Sequence, residues 1–310
     1  MVVRAYSRTP GMKALAHTSS AAPTADKHIV ETLIEERAAR LVRSPLWPAY
    51  RSVLYPLLRK KEAVKMADAI AGLSGREVFE HISALLSLDV AAAGLEHVPK
   101  SGPVIVACTH PTGIADGVAL YDALKTVRDD IAFFANRDAV RVAPRLAETL
   151  IPVEWVTAKR TRERSRETLQ SAVRAFESGA CVVLFASGRI AYMDEARRLN
   201  EQPWQPTVAT FARKYDCPVA PADCVARNSW LYYWFWKVNT ELRDITLFNE
   251  LLNKRGSRFD IAIGPAIPAR QLKGDPAAVA AALREHAASG VRAGRAWRPL
   301  SAEAAATERP

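Results

Sequence analysis

Two runs without a single polar residue constrain this chain most: Val104-Ile105-Val106-Ala107-Cys108 and Cys181-Val182-Val183-Leu184-Phe185. A strand with one wet face alternates apolar and polar residues. A run that does not alternate needs cover on both faces, as central strands of an α/β sheet have. Each run gives way at once to a polar turn containing glycine. After the first comes Thr109-His110-Pro111-Thr112-Gly113-Ile114-Ala115-Asp116, and after the second Ala186-Ser187-Gly188-Arg189. Strand patterns near 90–95, 103–108, 131–135, 150–156, 181–185, 218–225 and 259–263 alternate with helical patterns near 116–127, 138–148, 162–178, 205–215 and 276–290. That alternation predicts an α/β fold, a β-sheet flanked by helices.

The flanks differ in texture. Residues 1–27 are rich in Ser, Thr, Ala and Pro without periodicity and read as disordered. Residues 28–87 carry helical spacing in three or four stretches and predict an N-terminal helical layer. In the stretch from Leu46 and Trp47 to Leu58, Pro56 should kink the helix or end its regular part. Residues 88–290 form the main domain, and 291–310, rich in Ala, Arg and Pro, a flexible tail. No run approaches the ~18 consecutive apolar residues of a membrane span, and the first residues lack a secretory signal. The expectation is a cytoplasmic protein, with peripheral attachment to a membrane left open.

A net charge of +10 suits anionic lipid, phosphorylated substrates, coenzyme A or nucleic acid, or is merely a basic soluble surface. Nucleic acid is disfavoured, because there is no RNA-recognition aromatic signature and no DNA-reading helix. The four cysteines form no C-x-x-C pair and read as buried thiols; Cys108, two residues before His110, is the one candidate thiolate. The remaining histidines are scattered without metal-ligand spacing, and phosphate-cradling glycine motifs are absent.

His110 is the leading chemical candidate. Imidazole titrates near neutral pH and can take a proton from an alcohol. Asp116, across the sharp turn made by Pro111 and Gly113, is placed to fix one tautomer of the ring. A hydrogen-bonded structural histidine is the alternative. At the second turn, Ser187, Gly188 and Arg189 offer a hydroxyl, a flexible backbone and a guanidinium for an anionic headgroup. Ser187 lacks G-x-S-x-G flanks, so a nucleophile elbow is not indicated, but a lipase or thioesterase using it is an alternative. In the cation-rich stretch 159–166, Arg160 lies nearest the preceding strand and is the best anion ligand. The aromatic run 229–237 is read as a membrane-interface or acyl-chain contact through Trp230, Tyr233, Trp234 and Trp236, with Trp47 in a second interfacial helix; plain core is the alternative.

Taken in order, these pieces resemble the glycerolipid acyltransferase family of the lysophosphatidate acyltransferase (PlsC) type over roughly residues 85–290. Gly94-Leu95-Glu96-His97-Val98-Pro99 and Gly102 to Val106 resemble its lead-in strand, and His110 to Asp116 its His/Asp box. Five residues intervene here, where the family usually has four. Phe185-Ala186-Ser187-Gly188-Arg189 resembles its Phe-Pro-Glu-Gly block, with Ala186 for proline and Ser187 for glutamate. Pro218-Val219-Ala220-Pro221 resembles its last block, and 242–265 reads like the haemolysin-annotated and lyso-ornithine-lipid branches. The resemblance implies a mixed sheet and an O-acyl transfer from acyl-CoA or acyl carrier protein to the hydroxyl of a lysolipid. His110 would be the base and Asp116 its partner, with backbone amides near the His turn stabilising the oxyanion. Arg160, Ser187, Gly188 and Arg189 would hold the acceptor. It implies no metal or organic cofactor and a peripheral position at the inner face of the cell membrane, on an anionic surface. A non-catalytic basic membrane-binding protein is the remaining alternative.

Overall fold

A computed structural model of the chain describes residues 27–154 and 159–300. Five helices come first: α1 (Ile29–Arg37), α2 (Ala39–Val42), α3 (Trp47–Leu57), α4 (Lys60–Ile70) and α5 (Gly75–Leu86). Then strands and helices alternate: β1 (Asp89–Ala93), β2 (Val104–Cys108), α6 (Ile114–Leu124), β3 (Ile131–Asn136), α7 (Asp138–Val142), β4 (Leu150–Val153), α8 (Arg162–Glu177) and β5 (Cys181–Phe185). A short hairpin, β6 (Tyr192–Met193) and β7 (Leu199–Asn200), precedes α9 (Thr207–Lys214) and β8 (Val219–Val225). Three helices, α10 (Trp230–Val238), α11 (Thr240–Ile245) and α12 (Leu247–Leu252), lead to β9 (Arg258–Ile263) and α13 (Pro276–Glu285).

Seven strands form one sheet in the order β1-β9-β8-β2-β5-β3-β4, parallel throughout except between β8 and β9. The expected mixed α/β sheet is what forms. Every residue of β2 is buried, as its unbroken apolar run requires. One face of the sheet is covered by α1, α4, α5, α6 and α12, whose Val30, Met66, Ile82, Leu120 and Leu251 share a core with Val104 and Val106. The other face is covered by α8, α9 and α13 through Phe176, Val208 and Leu283, packed on Ile105 and Val182. The N-terminal helices are thus a layer of the same core.

Several expected boundaries move for local reasons. The helix expected over 138–148 breaks at Ala143, which is extended (φ −134°, ψ 97°), because the residue before Pro144 avoids the helical region. The helix over 29–41 divides at Ala38 (φ −112°). Pro56 falls in the last turn of α3, which ends one residue later. The 291–310 tail is tied down at its start: Arg292 pairs with Asp223 and Asp260, and Trp297 packs edge-on against His286 at 5.5 Å. Residues 301–310, most of the expected N-terminal disorder and positions 155–156 of the expected fourth strand lie outside the described residues. Among the described residues no helix is long and apolar enough to cross a membrane.

Candidate active site

The register of β2 against β5, Val104 opposite Cys181 through Cys108 opposite Phe185, brings the two glycine turns side by side. The parallel pairing sends both chains out of the same edge of the sheet, where sites of open α/β sheets form. The His110 ring lies on the Phe185 ring, with centroids 4.1 Å apart and planes at 22°. The Ala191 amide donates to the His110 carbonyl at 2.8 Å, joining the turns a second time.

His110 Nδ1 meets Asp116 Oδ2 at 2.9 Å. Asp116 is fully buried and held before any substrate arrives. The same Oδ2 accepts from the Thr112 and Gly113 amides at 2.9 Å each, and Oδ1 accepts from the Thr112 hydroxyl at 2.5 Å. A carboxylate in the first turn of α6 is also where the helix dipole favours negative charge. With the anion facing Nδ1, that nitrogen carries the proton, and Nε2 is left as the accepting nitrogen. No described residue bonds Nε2, and the side chain keeps 16% of its surface exposed. Gly113 makes the turn possible: its φ of +104° suits glycine, and an added Cβ would stand 2.8 Å from Ile190 Cδ1.

Groups from distant parts of the chain steady this turn, and local sequence patterns give no sign of them. The Thr109 hydroxyl donates to Asp223 Oδ1 at 3.0 Å, and Asp223 is held in turn by Arg292. Asn228 Nδ2 donates to the Thr112 carbonyl at 3.1 Å, and the Asn228 amide donates to the Tyr233 hydroxyl at 3.2 Å. Glu201, just past β7, accepts from the His110 amide at 3.0 Å. Burial pushes the Glu201 carboxyl above its usual range, against the His110 amide and charge, the Trp204 indole and the Ser187 hydroxyl, which all lower it.

Among the expected oxyanion donors, three amides of the turn itself are already occupied. The amides of Thr112 and Gly113 are spent on Asp116 and that of His110 on Glu201, so these turn amides are not free to bind a developing oxyanion. Ser187 is buried, and its hydroxyl donates to the Arg189 carbonyl at 2.8 Å. It makes no bond to His110, so a Ser–His nucleophile is not assembled. Arg189 is exposed, and no described residue pairs with its guanidinium; Gly188 (φ +63°) turns the chain there. Arg160 follows β4, the edge strand three positions from β2 in the sheet order. Its Nε donates to the Glu154 carbonyl at 3.0 Å, beside the end of β4, and among the described residues no hydrogen bond joins it to the His110 turn. Cys108 is fully buried, and burial pushes its thiol well up, which removes it as a thiolate.

The aromatic residues divide. Trp230 and Trp234 are 74% and 44% exposed and stack on each other at 5.8 Å. Trp236 is half-buried beneath the Arg243 guanidinium, 4.4 Å from its ring centroid. Tyr233 and Trp47 are buried, so surface contact with a membrane is withdrawn for both. Helical spacing turns Tyr232, Tyr233 and Phe235 inward while Trp230 and Trp234 share the outer face. Trp47 instead packs edge-on against Tyr55 at 6.2 Å.

The family model described as Acyltransferase matches residues 89–225, the segment that holds β1 to β8 and both turns. Among solved structures, the chain is similar to the 1-acyl-sn-glycerophosphate acyltransferase PlsC from Thermotoga maritima, with 15% identity, a TM-score of 0.44, 84% of this chain and 99% of that one covered. No curated protein matches the sequence. What the match covers is residues 89–225, the segment that carries the His110 and Ser187 turns, and over that segment the chain is similar to the Acyltransferase family.

Proposed function

We propose that this chain is an acyltransferase of the PlsC type and moves a fatty acyl group from acyl-CoA or acyl carrier protein to the hydroxyl of a lysolipid. The observation that carries this reading is the His110–Asp116 pair: an imidazole whose Nδ1 is held at 2.9 Å by a buried carboxylate, with Nε2 unbonded. Nε2 takes the proton from the acceptor hydroxyl as its oxygen attacks the thioester carbonyl. Collapse of the tetrahedral intermediate breaks the C–S bond, and His110 returns the proton to the departing sulfur. Asp116 orients the ring and stabilises the imidazolium between the two transfers. The exposed Arg189 and the Gly188 backbone bind the anionic headgroup of the acceptor, with the Ser187 hydroxyl shaping that loop. Arg160 is a more remote cation of the same sheet edge. The reading needs no metal or organic cofactor. Trp230 and Trp234, with Trp236 at their margin, rest on an anionic membrane at the inner face of the cell membrane, where the lysolipid resides.

The experiment is acyl transfer from labelled acyl-CoA and labelled acyl carrier protein to a panel containing lysophosphatidate and lyso-ornithine lipid. His110→Ala should reduce turnover by about 10²–10⁴-fold, the span of a lost general base. Undiminished turnover would sink the mechanism. Covalent labelling of Ser187 by a serine-reactive phosphonate, with hydrolysis abolished in Ser187→Ala, would favour the hydrolase instead.

A further inference from the structure

Glu201 lies 91 residues from His110 in sequence, yet its carboxylate meets the backbone of that residue. Oε2 accepts from the His110 amide at 3.0 Å, and Oε1 accepts from the Trp204 indole nitrogen at 3.0 Å. Trp204 is buried in the core beneath β5, and the next residue, Gln205, donates its amide to the Ala186 carbonyl at 2.8 Å. The Arg284 guanidinium of α13 reaches the Glu201 carbonyl at 3.3 Å. A side chain so anchored has little freedom left, and the atom it fixes is the peptide nitrogen from which the imidazole projects.

From this geometry we infer that Glu201 is a positioning residue, the acceptor that sets the backbone of His110 so that the ring rests on Phe185 and faces Asp116. The inference rests on the proposed role of His110 as base. It follows from how the turn is built. Asp116 holds the far side of the turn through the Thr112 and Gly113 amides, and the Thr109 hydroxyl is held by Asp223. The His110 amide lies between these two fixed points, and its acceptor comes from outside the turn. Without one, a partly buried N–H is left unsatisfied, and the peptide can rotate to find another partner. A misplacement of about 1 Å at a reacting group costs on the order of 10²-fold in rate.

The test compares Glu201→Ala, Glu201→Gln and His110→Ala in the acyl-transfer assay with the full chain. Glu201→Ala should lower kcat by about 10–100-fold while KM for donor and acceptor stays within about threefold, since the ring is misplaced and the substrate contacts are not. Glu201→Gln keeps a carbonyl that accepts the His110 N–H but turns its NH2 toward the Trp204 indole, so it should recover most of the kcat lost in the alanine variant, to the level of Trp204→Phe. Hydrogen exchange at the His110 amide should quicken in the alanine variant and not in the glutamine variant. If Glu201→Ala is too unstable to purify, Trp204→Phe keeps a ring in the core and removes only the N–H that anchors Oε1. It should show the same kcat-selective loss, smaller in size. A Glu201→Ala or Trp204→Phe enzyme with kcat within threefold of the parent overturns the inference, as does a glutamine variant as slow as the alanine one. If His110→Ala itself remains active, the reading of His110 has failed, which is a different result from failure of Glu201 alone.

Discussion

At the scale of single residues, the His110 turn depends on one backbone conformation as much as on the hydrogen-bonded side chains of His110 and Asp116. Gly113 (φ +104°, ψ −126°) occupies a region closed to residues with a Cβ. Gly113→Ala should destabilise the fold by about 1–3 kcal/mol from the dihedral alone, read by urea unfolding. Trimming the neighbour as well, in Gly113→Ala/Ile190→Ala, should recover little, because the crowding at Ile190 is the smaller part of the cost. Full recovery would show that side-chain contact, rather than φ, dictates glycine here. His110 and Asp116 were legible from sequence because strand, turn and helix start lie within nine consecutive positions. Glu201, Asp223 and Asn228 were not, since each reaches the turn only through chain folding. Arg160 and Ser187 show the converse: suitable chemistry near a strand end, then aimed elsewhere by the local chain.

Among elements, the helices over 230–252 position what the apolar runs do not. Ser229 caps α10, its amide and hydroxyl both donating to Glu250, which is buried and paired with Lys254 at 3.0 Å. That cluster fixes α10 beside Asn228 and the His110 turn. A second tie joins α1 to α7: Glu36 accepts from both terminal nitrogens of Arg141 at 2.8 Å each, and from Lys159. Hydrogen bonds from Arg141 lead in holding the Glu36 carboxyl down to about 2, from an ordinary value of 4.5. Because the folded value is depressed, the contribution is fully present above pH 4.5 and fades as pH falls toward 2. Stability of the parent should therefore drop more steeply through that window than that of Glu36→Gln, measured by denaturant unfolding at a series of pH values. Parallel curves for the two proteins would show that the tie contributes nothing.

For the whole molecule, the proposed function asks the net charge of +10 and the paired, exposed tryptophans of α10 to act together at an anionic membrane surface. Association with anionic vesicles should weaken as salt rises through the range where exposed charges are screened, about 0.1–1 M. The Trp230→Ala/Trp234→Ala variant should bind less at every salt concentration, as read by vesicle co-sedimentation. Salt-independent binding, or an unaffected double variant, would refute this surface. By itself the sequence determined the fold class, the central strands, the helical layer before them and the His–Asp pair. Those features follow from periodicity and short-range spacing, which the backbone enforces locally. Only the tertiary structure decided that β2 and β5 are neighbours, that Trp47 and Tyr233 face inward, and that Arg160 is tied to the Glu154 carbonyl beside β4. It also decided that a glutamate 91 residues distant holds the His110 amide. These outcomes depend on strand order and on which face of each helix the core takes, choices made by the burial of the whole chain at once.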